Sequence, residues 1–347
     1  MTKSDDNVAL GDYEETPEQR ANRLIKNGDW LNNKEFPPLE FSVPEILAEG
    51  YALIAGAPKV GKSWFALSLA LACASGGRAL GGIKVDKRPV LYFALEDGDR
   101  RMKNRSEELV GKNNIPRLFD YSTVVESSHD LLNIARVWQD SYRSTHKPPL
   151  IIVDTLGRLS SGKGAANQYE SDYKLGSDLQ NLAKRIPGST VLAVHHTNKG
   201  EHSDAFNAVS GTQGVSGACD VMMVLKRARN SDDAIVSITG RDITERELAL
   251  ERSGAEWHLK GGNLASAEEA VAEVRAEQAE ANFSARHGDR SVAILKAFDG
   301  LGEDATLSVA EISGRTDIKN NTVSTYLSRL EKRGQLVKVG RGKYRLP

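Results

Sequence analysis

Gly56-Ala57-Pro58-Lys59-Val60-Gly61-Lys62-Ser63 is the stretch on which the fold turns. It matches G-x-x-x-x-G-K-[ST], and it stands where that motif has physical meaning, after a short apolar run, Leu53-Ile54-Ala55, and before an apolar helical stretch, Trp64–Ala74. Gly56 and Gly61 allow the tight turn that aims backbone N–H groups at phosphates. The helix that follows adds the positive end of its dipole at the same point. ATP is therefore the expected ligand, cradled from Gly56 to Trp64 by Gly56, Ala57, Pro58, Lys59, Val60, Gly61, Lys62, Ser63 and Trp64. Lys62 is expected to reach the β- and γ-phosphates, and the Ser63 hydroxyl to ligate Mg2+.

Outward from this loop, short apolar runs alternate with helical stretches. Val90–Ala94, Leu150–Val153 and Val191–Val194 have the continuous apolar character of strands buried on both faces, and Val221–Leu225, Ala234–Thr239 and Glu256–Leu259 extend the series. The alternation predicts an α/β core with a mainly parallel central sheet over residues 37–262. The strand of residues 150–153 runs into Asp154, a carboxylate at the carboxyl edge where such sheets bind ligands. Asp154 is expected to hold Mg2+ through water, together with Ser63. Thr155, not an acid, follows it, so the group that orients water must come from elsewhere; Glu96 and Asp97, at the end of the strand of residues 90–94, are the candidates. His195 and His196 end a further strand on alternating faces, so only one of them can face a nucleotide.

The phosphate loop, Leu95-Glu96-Asp97, Val153-Asp154-Thr155 and Val194-His195-His196-Thr197 occur in the order seen in RecA-like ATPases. Over residues 37–262 the chain resembles the RepA-type plasmid and phage replicative helicases, a group related to the DnaB helicases. The resemblance implies a RecA-like P-loop NTPase core in which Glu96 is the catalytic glutamate and His196, rather than His195, senses the γ-phosphate. It implies hydrolysis between subunits of a homo-oligomer, such as a hexamer, with an Arg supplied by a neighbour. Arg241 stands in the place of the Arg of a Lys-x-Arg element, although Thr239 replaces the Lys; Lys226, Arg227 and Arg229 are the other candidates. It also implies that two long loops, one after Leu156 carrying Lys163 and one after Asn198 carrying Lys199, line a channel for single-stranded DNA.

Residues 288–347 form a separate unit. Its order of helix, capped helix (Ser308 with Glu311), third helix and Gly-Arg-Gly hairpin resembles a winged helix-turn-helix, a small α+β domain. The third helix, with Lys319, Asn321, Thr322 and Arg329, and the wing, with Arg341 and Lys343, are expected to contact duplex DNA. An Ala- and Glu-rich helical linker over 263–287 joins it to the core, and residues 1–36 are expected to form a polar tail.

The whole-chain net charge of −1 conceals this division. Residues 288–347 carry 11 Lys/Arg against 7 Asp/Glu, leaving the remainder net acidic. Two cysteines without a CxxC pairing exclude a disulfide framework and a structural zinc site. The longest apolar run is too short to span a bilayer, and the acidic N-terminus is unlike a secretory signal, so no membrane partner and a cytoplasmic location are expected. The expected activity is Mg-dependent ATP hydrolysis acting on DNA, as in a replicative helicase. The alternatives are a non-translocating ATP switch on a specific duplex site, and a KaiC-like signalling ATPase whose winged helix binds protein.

Overall fold

The computed structural model describes residues 16–142, 147–159, 165–196, 213–228, 231–287, 289–302 and 305–347. The chain divides between Leu39 and Glu40. The first unit contains two short helices, Pro17–Leu24, started by a Thr16–Gln19 capping box, and Gly28–Asn33, capped by Asn27. Neither buries a residue.

The second unit is built on a nine-stranded sheet. In chain order its strands are β1 (Gly50–Gly56), β2 (Val90–Ala94), β3 (Phe119–Ser122), β4 (Leu150–Asp154), β5 (Thr190–His196), β6 (Val221–Arg227), β7 (Asp233–Gly240), β8 (Arg246–Ser253) and β9 (Glu256–Leu259). They lie in the order β9-β8-β7-β6-β1-β5-β4-β2-β3. From β6 to β3 every neighbouring pair is parallel, and from β6 to β9 the chain returns as an antiparallel meander. The helices are α1 (Lys62–Ser75), α2 (Asp99–Val110), α3 (Ser128–Asp140) and α4 (Ala165–Lys184). This is the RecA-like α/β core expected from the sequence.

Period-2 alternation along each central strand separates two cores. Even-numbered residues such as Ile54, Tyr92, Ile152, Leu192 and Val194 pack on the side of α1. Their odd-numbered neighbours, among them Leu53, Phe93, Ile151, Val153 and Val191, pack with Leu131, Leu132, Leu175 and Leu179 of α3 and α4. Helix α1 is buried on almost every turn, including Phe65, Leu67, Leu69 and Leu71, which explains why it reads as a continuous apolar run rather than an amphipathic one.

After the sheet, a short helix, Leu264–Glu269, precedes α5 (Val271–His287). The start of α5 is not free: Val271 and Val274, three residues apart, pack with Ile235 of β7 and Ala249 of β8. Gln278 Nε2 donates to the Asp233 carbonyl at 3.3 Å. The C-terminal unit contains α6 (Asp289–Lys296), β10 (Leu307–Ser308), α7 (Val309–Thr316), α8 (Asn320–Lys332), β11 (Val337–Gly340) and β12 (Lys343–Arg345). Its three strands lie in the order β10-β12-β11, and its own core gathers Ile294, Phe298, Ile312, Val323, Leu327, Leu330 and Tyr344. The Ser308–Glu311 capping box is formed in both directions. Among the described residues no helix is long and apolar enough to cross a membrane.

Candidate nucleotide site

The register of the parallel strands brings the sequence-predicted residues to one edge. Gly56 pairs with His196, Asp154 with Val194, and Ala94 with Asp154. The phosphate loop, Glu96, Asp154 and His196 therefore leave four adjacent strands at the same carboxyl edge. Parity selects the face. Asp154 continues the even-numbered series on the α1 side, and so does His196, while His195 continues the odd-numbered series on the other side. The two histidines thus point to opposite faces, His196 to the α1 side. The ring nitrogens of His195 are buried and have no partner among the described residues.

Lys62 is buried at the first turn of α1, and its Nζ donates to the carbonyls of Gly56 at 2.8 Å and Ala57 at 3.0 Å. Its third neighbour is His196 Nδ1 at 3.0 Å. An ammonium only donates, so Nδ1 accepts and a neutral ring carries its proton on Nε2. That nitrogen is 3.8 Å from Glu96 Oε1. Burial pushes the Lys62 pKa down to about 8, against the pull of Asp154 and Glu96. Burial and the neighbouring Lys62 likewise lower the His196 pKa, which favours the neutral ring this geometry needs.

Asp154 is buried, and the Tyr92 hydroxyl donates to its Oδ2 at 2.7 Å. Burial raises the Asp154 pKa, opposed by hydrogen bonds from Tyr92 and Ser63. Its other oxygen, Oδ1, is buried without a hydrogen-bond partner. A buried carboxylate that keeps one oxygen unpartnered and interacts with the Ser63 side chain suits a hard cation. No group of three or more His, Cys, Asp or Glu that could hold a metal occurs among the described residues. One carboxylate and one hydroxyl match the way Mg2+ binds, since it keeps waters and takes substrate phosphates rather than a full protein cage.

The two acids after β2 are distinguished by their partners. Asp97 is bound by Arg105 and, at 3.0 Å, by Arg101, so its charge is matched by guanidinium groups of α2. Glu96 is half-exposed at the site and accepts from Thr155 Oγ1 at 3.0 Å. Glu96 is thus the acid that faces the loop. Trp64 is half-buried on the first turn of α1, with the Arg105 guanidinium 5.1 Å from its ring centroid.

Three contacts had no sequence signal. Tyr92 looked like one more apolar strand residue, and Trp257 of β9 donates Nε1–H to the Gly61 carbonyl at 3.2 Å. Arg227, at the end of β6 beside β1, donates to the Lys59 carbonyl at 3.1 Å. Only the fold shows that Tyr92 meets Asp154 and that Trp257 and Arg227 meet the loop.

Arg241 is not at this edge. It follows Gly240, which pairs with Val221, which in turn pairs with Ala52. Arg241, one residue further on, therefore lies at the amino edge, about 16 Å along β1 from Gly56 at the usual strand rise. There its Nη1 is 3.3 Å from Asp220 Oδ1. Lys163, Lys199 and Arg229 lie outside the described residues. In the C-terminal unit Lys319, Asn321, Arg329, Arg341 and Lys343 are exposed and Thr322 is half-buried.

The family model described as an AAA domain matches residues 15–202. A second model, described as a transcriptional regulator, AbiEi antitoxin, matches residues 308–347. No curated protein matches the chain. Among solved structures, one of an ATPase domain is similar at 14% identity and TM-score 0.48, over 60% of this chain and 84% of that one. A DnaB-like replicative helicase, solved to show its interactions with primase, is similar at 14% identity and TM-score 0.48; 60% of this chain is covered, and 57% of that chain.

Proposed function

The chain belongs to the AAA domain family, and from that membership we propose that it hydrolyses Mg-ATP and directs the energy to DNA, as a replicative helicase of plasmid or phage type does. The observation that carries the ATPase reading is the meeting of Lys62, Asp154, Glu96 and His196 at the carboxyl edge of four adjacent strands. Bound Mg2+ would neutralise charge on the β- and γ-phosphate oxygens, held by Ser63 and through water by Asp154. Lys62 exchanges its loop carbonyls and His196 for phosphate. Glu96, held by Thr155, orients the attacking water, and His196, released by Lys62, donates to the γ-phosphate and reports its loss to the chain after Thr197. A neighbour's Arg241 completes the site in a homo-oligomer, because in its own chain it lies at the opposite edge. Support for DNA as the partner is the concentration of Lys and Arg after residue 314, where nine stand against Asp317 and Glu331. Lys163 and Lys199 are assigned to a single strand, and Lys319, Asn321, Thr322, Arg329, Arg341 and Lys343 to duplex.

A second reading is favoured by the match of residues 308–347 to a transcriptional-regulator model: an ATP-switched DNA-binding regulator that does not translocate. Strand displacement on a forked substrate separates the two, with Lys62→Ala and Glu96→Gln as controls. Displacement that needs ATP and is lost in both variants supports the helicase. ATP-dependent DNA binding without displacement supports the regulator. Absence of hydrolysis in the wild type overturns both.

A further inference from the structure

The last glycine before Lys62 is held by a residue almost two hundred positions later in the chain. Trp257 is fully buried on β9, at the outer end of the sheet, yet its Nε1–H reaches the Gly61 carbonyl at 3.2 Å. Four strand spacings separate β9 from β1, about 19 Å if the sheet were flat. The meander coils far enough that β9 packs on α1, and Trp257 shares a core with Phe65.

The indole also fixes the space around the loop. A Cβ on Gly61 would lie 2.9 Å from Trp257 Cζ2 and 3.1 Å from its Nε1. Gly61 has φ 110°, so a side chain is disfavoured there on conformational grounds as well. The Gly61 carbonyl accepts twice, from Phe65 N–H at 3.0 Å within α1 and from Trp257 across the fold. Because a trans peptide is planar, fixing that carbonyl fixes the direction of the Lys62 N–H on its other side. That N–H is one of the free donors at the start of α1.

Strand β9 is itself anchored near the other end of α1. Leu259 N–H donates to the Leu80 carbonyl at 3.0 Å, in the turn that follows α1. Within that turn Gly81 leaves room for His258, whose Nδ1 would stand 2.3 Å from a Cβ at residue 81. On the Arg252 side, a guanidinium lies 5.9 Å from the Trp257 ring centroid.

We propose that Trp257 is a positioning residue of the nucleotide site, which sets the Gly61–Lys62 peptide in its phosphate-binding orientation before nucleotide arrives. This rests on the ATP-binding reading of the loop. Its effect falls on binding, since the ordering of the cradle is completed in advance instead of being charged to the nucleotide. Interactions that act equally on ground and transition states change KM and leave kcat.

The test compares two variants that each delete one indole N–H bond. Trp257→Phe removes the bond to Gly61. Trp138→Phe, on α3, removes the 2.7 Å bond to Asp120 Oδ2 of β3, away from the site. Trp257→Phe is expected to raise KM for ATP about tenfold with kcat within about twofold, and to weaken binding of a fluorescent ATP analogue to the same extent. Trp138→Phe is expected to leave both unchanged. A general loss of packing would lower Tm in both variants without separating their KM values, and that result overturns the proposal. If Trp257→Phe does not fold, 3-benzothienylalanine at position 257 keeps the ring and replaces only the N–H; wild-type KM in that protein overturns the role. Wild-type protein that fails to bind the ATP analogue overturns the site reading and this role with it. Wild-type binding with an unchanged KM in the variant overturns this role alone.

Discussion

Lys62 has three N–H donors and three acceptors, the carbonyls of Gly56 and Ala57 and His196 Nδ1. Its charge is nevertheless disfavoured, because burial holds its pKa at about 8. A Lys whose folded pKa lies below its ordinary value weakens the fold while charged; that cost is relieved as pH rises from 8 towards 10.5. Phosphate favours the charged form, so ATP binding near pH 9 should take up about one proton per site, and near pH 6.5 Lys62 should contribute almost none. Calorimetry in two buffers of different ionisation enthalpy measures this, and Lys62→Met should abolish the difference. Asp154 makes a second case. Tyr92→Phe removes the donor to Oδ2 while Oδ1 is already unpartnered, and should lower stability by roughly 1–3 kcal/mol in urea unfolding at neutral pH. Because burial already raises the Asp154 pKa, protonation relieves the need for that donor, and the loss should shrink as pH falls through the carboxylate range. The residues of the loop were legible because their chemistry demands a fixed spacing, and Asp154 because it ends an unbroken apolar strand. Tyr92 was not, since a tyrosine inside an apolar strand looks the same whether its hydroxyl meets solvent or a carboxylate.

At the scale of elements, legibility followed burial. The strands buried on both faces, β1, β2, β4 and β5, stand out as unbroken apolar runs. Strand β8 was missed because only Leu248, Ala249 and Leu250 are buried within a run of charged residues. Strand β3 was missed because it is an edge of four residues with one buried position. Parity placed His196 on the same face as Asp154 and turned His195 to the opposite core. In the C-terminal unit the Ser308–Glu311 box was legible because both partners lie within one turn. Ser308→Ala removes the acceptor for the Glu311 N–H, 3.3 Å away, and should cost about 1 kcal/mol. Hydrogen exchange of the full chain should show that loss as faster exchange at the start of α7 and leave α1 unchanged.

For the whole molecule, the charge division inferred from sequence has a measurable form. If residues 288–347 hold duplex, affinity should fall with salt, and replacing Arg341 or Lys343 by Ala should each reduce the log–log slope by about 0.9. ATP hydrolysis without DNA should be unaffected by either change. Arg241 poses the opposite problem, because its neighbours in sequence gave no sign that the antiparallel return of β7 carries it to the amino edge. Among the described residues the Arg241 guanidinium pairs with Asp220, which also accepts Tyr51 N–H at 3.0 Å and Gln180 Nε2 at 3.2 Å. A role in catalysis requires a second copy, and mixing distinguishes the two. Lys62→Ala lacks a working loop but keeps Arg241; Arg241→Ala keeps the loop and lacks the guanidinium. Each alone should hydrolyse ATP poorly, by at least about tenfold if the Arg supplies transition-state charge. Mixed at concentrations where the chains associate, a Lys62→Ala copy can present Arg241 to an intact loop beside it, and activity should return in part. Loss without recovery, together with a lowered Tm in Arg241→Ala, would place the residue in the ion pair and leave the stabilising charge to be found elsewhere.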